Sequence, residues 1–352
     1  DLGRGLTLEL LITWLKDFHP QARHAKMMFL SAVMPNSLEI STWVNEDTDQ
    51  EIRALPISLP WQPTRQIKGY LEIDRNDLVE KIQNHPLTES WYGGHLSYVS
   101  DRSDLAQPRQ IRRLIRSKET IRRSKRQKTN QIYFQRERKE SFGDEENAAE
   151  VAKRFLNAKL DPVLVFFMSK DQTRTFCEYL LASPENYAPK NLDQRAEEEI
   201  NVFVEFLKER LGEKHPLIAF ITNGIGYHHG SLPQDVRAEI EYAFSRRWIR
   251  VLASTTTLID GVNFPISTFI LANYAQSIGS EEDEGSNRKT VIKRYLEKKD
   301  FKNMIGRAGR AVFDTEGQIV FMLPTARQTQ FDPPWQDYLF PRKDDPEWDI
   351  QS

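Results

Sequence analysis

Short apolar runs recur through the second half of the chain, and a polar turn follows each of them. Runs of four to six mostly apolar residues are typical of strands that are buried on both faces. Between these runs, apolar residues recur at helical spacing. Strands that alternate with helices predict an α/β fold with a parallel sheet covered on both faces. The predicted strands among these runs are Val163–Met168, Leu217–Ile221, Val251–Ala253, Thr268–Ala272 and Gln318–Leu323. Gln66–Ile73, where apolar and polar residues alternate, is predicted to be the first strand of the same domain.

The segments between the strands predict several helices. Ile200, Phe203, Val204 and Leu207 lie three or four residues apart, which puts them on one helix face. The acidic run Glu281–Glu284 is expected to be an exposed loop. The predicted helices are Glu146–Leu160, Gln172–Leu181, Ala196–Leu211 and the stretch that begins at Phe301.

Composition excludes several classes of protein. The chain has 352 residues, 39% hydrophobic and 28% charged, which suits about two domains with a substantial core. Its single cysteine, Cys177, allows no internal disulfide or cysteine-rich zinc site and favours a reducing compartment. No apolar run approaches the roughly 20 residues that span a bilayer. We therefore expect no membrane partner, no metal site in this chain, and a cytoplasmic, nucleoid or nuclear protein that is not secreted.

Positive charge is concentrated in one segment. Residues 109–139 contain thirteen Lys and Arg against Glu119 and Glu137, a net charge of +11, so the rest of the chain carries −13. Such a block indicates a surface for phosphate backbones, although a solvated helix or a disordered insertion has the same composition. Ile111, Leu114 and Ile115 have helical spacing and predict a basic amphipathic helix here.

Polar residues follow several of the predicted strands. Ser169 and Lys170 end one strand, and Thr255 and Thr256 form the turn that ends another. A short helix and a loop from Gly261 to Asn263 follow that turn, and His228, His229 and Gly230 form a turn of their own. In a parallel sheet, the ligand-binding residues gather at the carboxyl ends of the strands. Capping turns have the same residue types, so a purely structural role stays open for each. His228 and Arg237 are expected to be structural, the latter in an ion pair.

Two arginines close the predicted helix that begins at Phe301. Arg307 and Arg310 lie three residues apart in Gly-Arg-Ala-Gly-Arg, so both can point at one target. A guanidinium offers a rigid fork of donors that suits phosphate oxygens. The glycines beside them allow close approach of another surface. A basic helix end stabilised by the helix dipole is the alternative.

Taken in order, these motifs resemble motifs IV, IVa, V and VI of the second RecA-like domain of superfamily 2 helicases. The resemblance is greatest to the DExH-box, Ski-type branch, and Ser31, Ala32 and Val33 resemble that branch's motif III. It implies a RecA-like parallel sheet flanked by helices, with a remnant of a first RecA-like domain and helical and basic insertions. The implied order is residues 1–53 as the end of the first domain, 54–65 as a linker, 66–330 as the second domain with insertions at about 76–147 and 182–216, and 331–352 as a tail.

The resemblance also implies roles for individual residues. Arg307 and Arg310 would be arginine fingers on the γ-phosphate of ATP, and Gly261, Asn263 and Asn303 would line the ATP site. Ser31, Ala32 and Val33 would couple the two domains. ATP and Mg²⁺ are the implied cofactors, with the Mg²⁺ ligands upstream of this chain. The residues implied to hold a nucleic-acid backbone are Ser169, Lys170, His229, Gly230, Thr255 and Thr256.

The sequence departs from the family pattern at several points. It contains neither Gly-x-x-x-x-Gly-Lys-Ser/Thr nor Asp-Glu-x-His, so the chain alone is expected not to hydrolyse ATP and to need a missing N-terminal RecA-like half. Val33 replaces the usual Thr, and Asn303 the usual Gln or His. Two functions stay open: the carboxyl-terminal motor half of a helicase or translocase, and a non-catalytic nucleic-acid-binding or scaffolding module. The sequence does not distinguish DNA from RNA.

Overall fold

The chain divides into two compact units, residues 1–34 and 35–352. The computed structural model describes helical Thr42 and, with gaps, much of the region from residue 65 to residue 340. The elements predicted within 1–53, and the boundary there, otherwise lie outside the described residues. The described ranges are 65–73, 89–99, 110–120, 122–123, 134–135, 144–190, 192–258, 266–282, 289–309, 316–323 and 333–340.

Eight described strands form one sheet. They are β1 Arg65–Ile73, β2 Glu89–Val99, β3 Gln110–Thr120, β6 Val163–Phe166, β7 Ile225–His228, β8 Val251–Ser254, β9 Thr268–Leu271 and β12 Glu316–Met322. Their order in the sheet is β3-β2-β1-β12-β9-β6-β8-β7. The six strands from β1 to β7 in this order run parallel, and β2 and β3 extend the sheet with antiparallel pairing beyond β1. The predicted α/β class with a mainly parallel sheet is therefore confirmed.

Two small hairpins lie outside the main sheet. Strands β4 Arg122–Arg123 and β5 Phe134–Gln135 pair with each other, as do β10 Ala275–Glu282 and β11 Lys289–Tyr295. Because Glu281 and Glu282 end β10, the exposed loop expected at 281–284 was wrong for these two residues.

Seven α-helices are described beside the strands. The short four-residue strands β6, β7, β8 and β9 are buried along their whole length. Continuous burial explains why their sequences are apolar runs without alternation. The helices are α1 Asp144–Asn157, α2 Lys170–Leu181, α3 Gln194–Leu211, α4 Pro216–Thr222, α5 Gln234–Ser245, α6 Lys298–Ile305 and α7 Gln336–Leu339.

The predicted strand Leu217–Ile221 was wrong, because this segment lies within α4. Pro216 stands in the first turn, where its missing N–H costs nothing, and Nδ1 of His215 accepts a hydrogen bond from Leu217 N at 3.4 Å. Leu217, Phe220 and Ile221 are buried at helical spacing. These start signals outweigh the short apolar run, and the strand begins later, at Ile225.

The helix predicted around Ile111, Leu114 and Ile115 was also wrong, because Gln110–Thr120 is strand β3. The pairing of β2 with β3 shifts register between Gly94 and His95, whose partners are Ile115 and Arg113. Leu114 is thus the extra residue of a β-bulge. The extra residue interrupts the alternation of side chains between the two faces of a strand. Ile111, Leu114 and Ile115 therefore have the spacing that is typical of a helix.

The segment after residue 333 packs onto the domain. Tyr338 and Leu339 of α7 are buried, and the Tyr338 hydroxyl donates a hydrogen bond to Leu296 O at 2.6 Å. Aromatic rings surround Tyr338, and the side chain of Trp335 packs on Tyr70 with ring centroids 4.8 Å apart. This cluster closes the core on the β1 and β12 side. The rings in contact with Tyr338 are Tyr274, Phe301 and Phe321.

Candidate functional site

Three neighbouring strands deliver polar residues to one edge of the sheet. Strand β6 leads to Ser169 and Lys170, β8 leads to Thr255, and β7 leads to His229. The backbone pairing continues past the strand ends, with Phe167 N donating to Ser254 O at 2.9 Å and Thr255 N to His228 O at 3.2 Å. The structure therefore brings together the carboxyl ends that carry these residues. We call Ser169, Lys170, His229, Gly230, Thr255 and Thr256 the strand-end cluster.

Lys170 links two of the turns. It is exposed, and its Nζ lies 3.4 Å from Ser231 Oγ, just after His229 and Gly230 in the chain. Ser169 occupies the N-cap position of α2 but makes no capping hydrogen bond through its side chain. A cap was the structural alternative for Ser169, and its hydroxyl is not used in that way.

A hub that sequence reasoning missed holds the turn after β6 in place. Asn273 follows β9, and its Oδ1 accepts a hydrogen bond from Met168 N at 2.9 Å. Its Nδ2 donates to Gln172 Oε1 at 2.9 Å and to Asp144 Oδ2 at 3.3 Å. One amide thus joins the strand end, α2 and the start of α1. Its only signal in the sequence was a polar residue directly after an apolar run.

His228 lies at the centre of a second network. Its side chain is fully buried, and Nε2 lies 2.7 Å from Glu241 Oε1 of α5. Its Nδ1 lies 3.4 Å from Thr257 Oγ1, which in turn lies 3.4 Å from Thr255 Oγ1. The imidazole therefore connects α5 to the hydroxyl-rich turn after β8. This is the geometry of a positioning residue, in agreement with its expected structural role.

His229 is partly buried against Tyr227. The two rings are stacked, with centroids 5.2 Å apart and planes 10° apart, and Nδ1 of His229 is buried without a hydrogen-bond partner. Burial, followed by the charges of Lys170 and His228, lowers the pKa of His229. A neutral imidazole keeps one N–H donor. Beside it, a Cβ added at Gly230 would lie 3.0 Å from Thr257 Cγ2, so the turn packs closely.

Arg307 contacts the turn after β8. It is half-buried just past the end of α6, and its Nη1 donates a hydrogen bond to Leu258 O at 3.3 Å. Leu258 N donates a hydrogen bond to Thr255 O at 3.2 Å, so Leu258 connects Arg307 to the strand-end cluster. Asn303, one helical turn earlier, is also half-buried.

The glycine that follows permits a close backbone approach. Gly309 has φ of +70°, and a Cβ there would lie 2.5 Å from Gly317 N in β12. A Cβ on Gly317 would lie 2.6 Å from Ala308 C. The expectation that a glycine beside the arginines allows close approach is thus met at Gly309, and the approaching surface is the chain's own strand β12.

Several predicted site residues lie outside the described part of the chain, and Arg237 differs from its prediction. Arg237 forms no ion pair with any described residue, and its Nε is buried without a hydrogen-bond partner. The acid that helical spacing offers it, Glu241, is bonded to His228 instead. The expected ion pair of Arg237 was therefore wrong. The residues outside the described ranges are Ser31, Ala32, Val33, Gly261, Asn263 and Arg310.

The described residues contain no group of three or more His, Cys, Asp or Glu that could hold a metal ion. Among the described helices, none is long and apolar enough to cross a membrane. The strand-end cluster therefore offers hydroxyls, amides, one ammonium and one neutral imidazole. These groups donate hydrogen bonds to anionic oxygens, and phosphate is the ligand that they suit.

Comparison with known proteins extends this picture. Residues 183–312 match the helicase conserved C-terminal domain. Over 327 residues the chain is 28% identical to Hachiman protein HamB of Bacillus cereus, an alignment that covers 91% of this chain and 24% of HamB. It is 22% identical over 328 residues to the exosome RNA helicase MTR4 of Homo sapiens, covering 92% of this chain and 27% of MTR4.

A third alignment is shorter and is with a protein named as a DNA helicase. The chain is 31% identical over 173 residues to the ATP-dependent DNA helicase Hel308 of Caldivirga maquilingensis, which covers 48% of this chain and 21% of Hel308. The chain thus spans roughly a quarter of the length of these three curated relatives.

Proposed function

We propose that this chain, which belongs to the DExH-type superfamily 2 helicases and carries their conserved C-terminal domain, is the second motor domain of an ATP-dependent nucleic-acid helicase or translocase. In this proposal, residues 66–330 are the second RecA-like domain, with insertions at about 76–147 and 182–216. Residues 1–53 complete the first domain, 54–65 link the two, 331–352 form a tail, and the remaining N-terminal half is the partner that supplies the rest of the ATP site.

The observation that carries the proposal is the convergence of three motif-bearing strand ends at one edge of the sheet. Lys170 approaches Ser231 at 3.4 Å, and Thr255 N bonds to His228 O at 3.2 Å. Arg307 joins the same edge through Leu258 O. Four motifs that are far apart in sequence therefore form one connected surface. A scaffold with no ligand would not require this convergence of phosphate-binding groups.

We assign the strand-end cluster to the nucleic-acid backbone. The Lys170 ammonium and the Ser169 hydroxyl donate to one phosphate, and Thr255, Thr256 and the amide of Gly230 donate to a neighbouring one. His229, kept neutral by its partial burial, donates one hydrogen bond rather than a charge. Contacts of this kind hold phosphate and sugar and carry no sequence information, so the grip is largely independent of sequence.

We assign Arg307, Arg310, Asn303, Gly261 and Asn263 to ATP. ATP, when bound, supplies the γ-phosphoryl group that is transferred to water. The half-buried positions of Arg307 and Asn303 fit a nucleotide that enters from a second domain, because their groups are donors suited to phosphate oxygens. In this assignment, the guanidinium of Arg307 donates one hydrogen bond to Leu258 O and others to the γ-phosphate. Arg307 thereby connects the nucleotide to the residues that contact the nucleic-acid backbone.

We assign the Mg²⁺ ligands to the N-terminal half, as the resemblance to DExH-box helicases implies. Ser31, Ala32 and Val33 are proposed to couple strand separation to the nucleotide. Val33 lacks the hydroxyl of the usual Thr, which favours translocation over strong unwinding. The location that suits such a motor is the cytoplasm, nucleoid or nucleus.

Nucleic-acid-stimulated ATP hydrolysis by the full-length protein tests the arginine fingers. Arg307→Ala and Arg310→Ala should each lower turnover by about 10³-fold or more, the range known for arginine fingers. Arg195→Ala, an 86% exposed arginine on α3, is the matched control and should leave turnover unchanged. Unchanged turnover in both finger variants would overturn the assignment and favour the non-catalytic module.

Measurements of nucleic-acid binding test whether the strand-end cluster contacts the phosphate backbone. Lys170→Ala should weaken binding equally for unrelated sequences and lower the salt slope by about 1. Single- and double-stranded DNA and RNA, compared for stimulation of ATP hydrolysis, identify the substrate. An unaltered slope in Lys170→Ala would remove that residue from the backbone contact.

A further inference from the structure

The antiparallel strands β2 and β3 extend past the end of β1. β1 pairs with β2 only from Lys68↔Val99 to Ile73↔Gly94. The remaining residues of β2, Glu89–Gly93, pair with Arg116–Thr120 of β3 alone. These two segments form a two-stranded ribbon, which we call the β2–β3 ribbon. At about 3.4 Å per residue, it extends roughly 17 Å beyond β1.

The ribbon leaves the sheet at the edge that carries the strand-end cluster. β3 is antiparallel to β2, and β2 is antiparallel to β1, so β3 runs in the same direction as the parallel strands. Its carboxyl end at Thr120 therefore lies on the same side as the carboxyl ends of β6, β7 and β8. The β-bulge between Gly94 and His95 falls where β1 ends, and bulges bend and twist a strand pair.

The ribbon carries the basic segment to that edge. β3 holds Arg112 and Arg113 within the sheet, and Arg116 and Lys118 within the ribbon. Two residues after Thr120, β4 begins and adds Arg122 and Arg123. The whole segment 109–139 has a net charge of +11 in a chain whose remainder carries −13. The described part of this basic segment, β3 and β4, therefore begins in the sheet and continues past its edge on the side of the strand-end cluster.

We propose that the β2–β3 ribbon with β4 is a second nucleic-acid-binding surface. It binds the phosphate backbone of the same nucleic acid that the strand-end cluster contacts, at a point farther along that nucleic acid. A two-stranded ribbon is one of the two elements that fit the major groove of a duplex, so the surface suits double-stranded as well as single-stranded segments. This surface lies outside the motifs and goes beyond the proposed function.

The position in the sheet explains why a nucleic acid suits this surface. Four strands separate β3 from β6, so β3 lies five strand spacings away, roughly 24 Å at about 4.8 Å per spacing. A duplex carries a charge about every 1.7 Å along its axis and spans that distance with many phosphates. A polyanion held at both places is therefore bound more tightly than at either one, because the second contact is intramolecular.

Salt-dependent binding by the full-length protein tests the proposal. The probes are a labelled single strand and a duplex of the same sequence, each titrated over a range of salt concentrations. The variant Arg116→Gln/Lys118→Gln/Arg122→Gln/Arg123→Gln should reduce the slope of log K against log salt by about 3, since each neutralised phosphate contributes roughly 0.7–0.9. Affinity at low salt should fall by roughly tenfold or more.

A matched control removes the same number of cations elsewhere. Lys190→Gln/Arg195→Gln/Lys208→Gln/Lys214→Gln changes four cations on α3 and beside it, and its slope should stay near that of the wild type. If the four-site ribbon variant does not fold, Arg122→Gln/Arg123→Gln alone should reduce the slope by about 1.5. A ribbon slope equal to that of the control would overturn the proposal.

Two more measurements distinguish a nucleic-acid surface from a lipid surface and from the motor itself. Loss of binding to vesicles that contain an anionic lipid, with nucleic-acid affinity unchanged, would overturn the proposal in favour of a lipid surface. The ribbon variant should keep its maximal ATP turnover at saturating nucleic acid, whereas the finger variants lose it. The two measurements therefore distinguish a wrong assignment of the ribbon from a wrong assignment of the motor.

Discussion

The two ends of the sheet are built on different principles. Strands β6, β7, β8 and β9 are four residues long, parallel and buried throughout. Strands β2 and β3 are eleven residues each, antiparallel, and continue past their neighbour. The first region presents polar residues at the ends of buried strands, while the second extends a basic stretch of backbone past its neighbouring strand. If the proposals above hold, one edge of the sheet combines a contact supported by the core with an extension that depends little on the core.

The first prediction concerns the rigid region, where a substitution should cost the most stability. Gly309→Ala places a side chain at φ +70° and a Cβ within 2.5 Å of Gly317 N. The left-handed conformation alone costs roughly 1–2 kcal/mol, and the clash adds about 1–3 kcal/mol. We expect the free energy of unfolding, measured in urea, to fall by about 3 kcal/mol or more, with loss of ATP hydrolysis through displacement of the adjoining Arg307.

Two other glycines separate these contributions. Gly212→Ala has φ of +91° and ψ of 146° with nothing within 4 Å of the added Cβ, so it measures the cost of a backbone conformation that disfavours a side chain, without a clash. Gly317→Ala has no unusual φ, but its Cβ would lie 2.6 Å from Ala308 C, so it measures the clash. If Gly309→Ala cost no more than Gly212→Ala, the backbone would be yielding, and the rigid description of this region would be wrong.

The second prediction tests the buried histidine of the same region. His228→Phe keeps the ring but removes the hydrogen bond to Glu241 and leaves that carboxylate without its partner. Loss of such a buried hydrogen bond costs about 1–3 kcal/mol. We expect a matching fall in the free energy of unfolding, and weaker nucleic-acid binding because Thr257 and Thr255 lose their support.

Glu241→Gln is the control for this prediction. A glutamine amide still bonds to the imidazole, so it should be clearly milder than His228→Phe. An unfolding midpoint of His228→Phe equal to that of the wild type would show that the His228 network is dispensable.

Much of the rigid region could be predicted from sequence for a physical reason. Burial on both faces makes Val163–Phe166 and Val251–Ser254 apolar throughout, and parallel pairing then requires the polar residues after them to share an edge. The sequence predicts in this way that Ser169, Lys170 and Thr255 lie at one edge, and the structure places them there. Asn273 and the His228 network were not, because their roles arise from contacts between elements that are remote in sequence.

The antiparallel region could not be predicted in the same way. The bulge at Leu114 removed the alternation by which a half-buried strand is identified, and the cationic residues gave no apolar run. The pairing of strands depends on tertiary contacts, and here β2 pairs with β1 on one side and with β3 on the other. The charge of residues 109–139 could be counted in the sequence, but the extension of β3 past the carboxyl end of β1 could not be predicted.

The third prediction lies where the two regions meet. Helix α1 packs against both β3 and β6, and burial, followed by the charge of Glu150, raises the pKa of its Glu146 to about 7. A raised pKa means that the stability linked to the protonated carboxyl is complete below the unfolded value of 4.5 and is lost as the pH rises through about 7. We therefore expect Glu146→Gln to be more stable than the wild type at pH 8.

The difference should be much smaller near pH 5, where the carboxyl of the folded wild type is largely uncharged. Because Glu146 is only partly buried, we expect a rise in Tm of about 1–2 °C at pH 8, measured by thermal unfolding at both values. An equal rise at pH 5 and pH 8 would contradict the assignment, since it would come from packing and not from charge.

The last prediction concerns stability in the ribbon, where the change should be slight. Arg116, Lys118, Arg122 and Arg123 lie where β2 and β3 pair only with each other, or beyond Thr120. Because the backbone here pairs with no other described strand of the main sheet, their replacement by Gln should change the free energy of unfolding by no more than about 0.5 kcal/mol. The same replacements are expected to weaken nucleic-acid binding at least tenfold. Stability and binding should thus separate in the ribbon, whereas Gly309→Ala and His228→Phe lower both. A ribbon variant that lost stability in proportion to its affinity would mean that the ribbon is part of the core, and the contrast between the two ends of the sheet would fail.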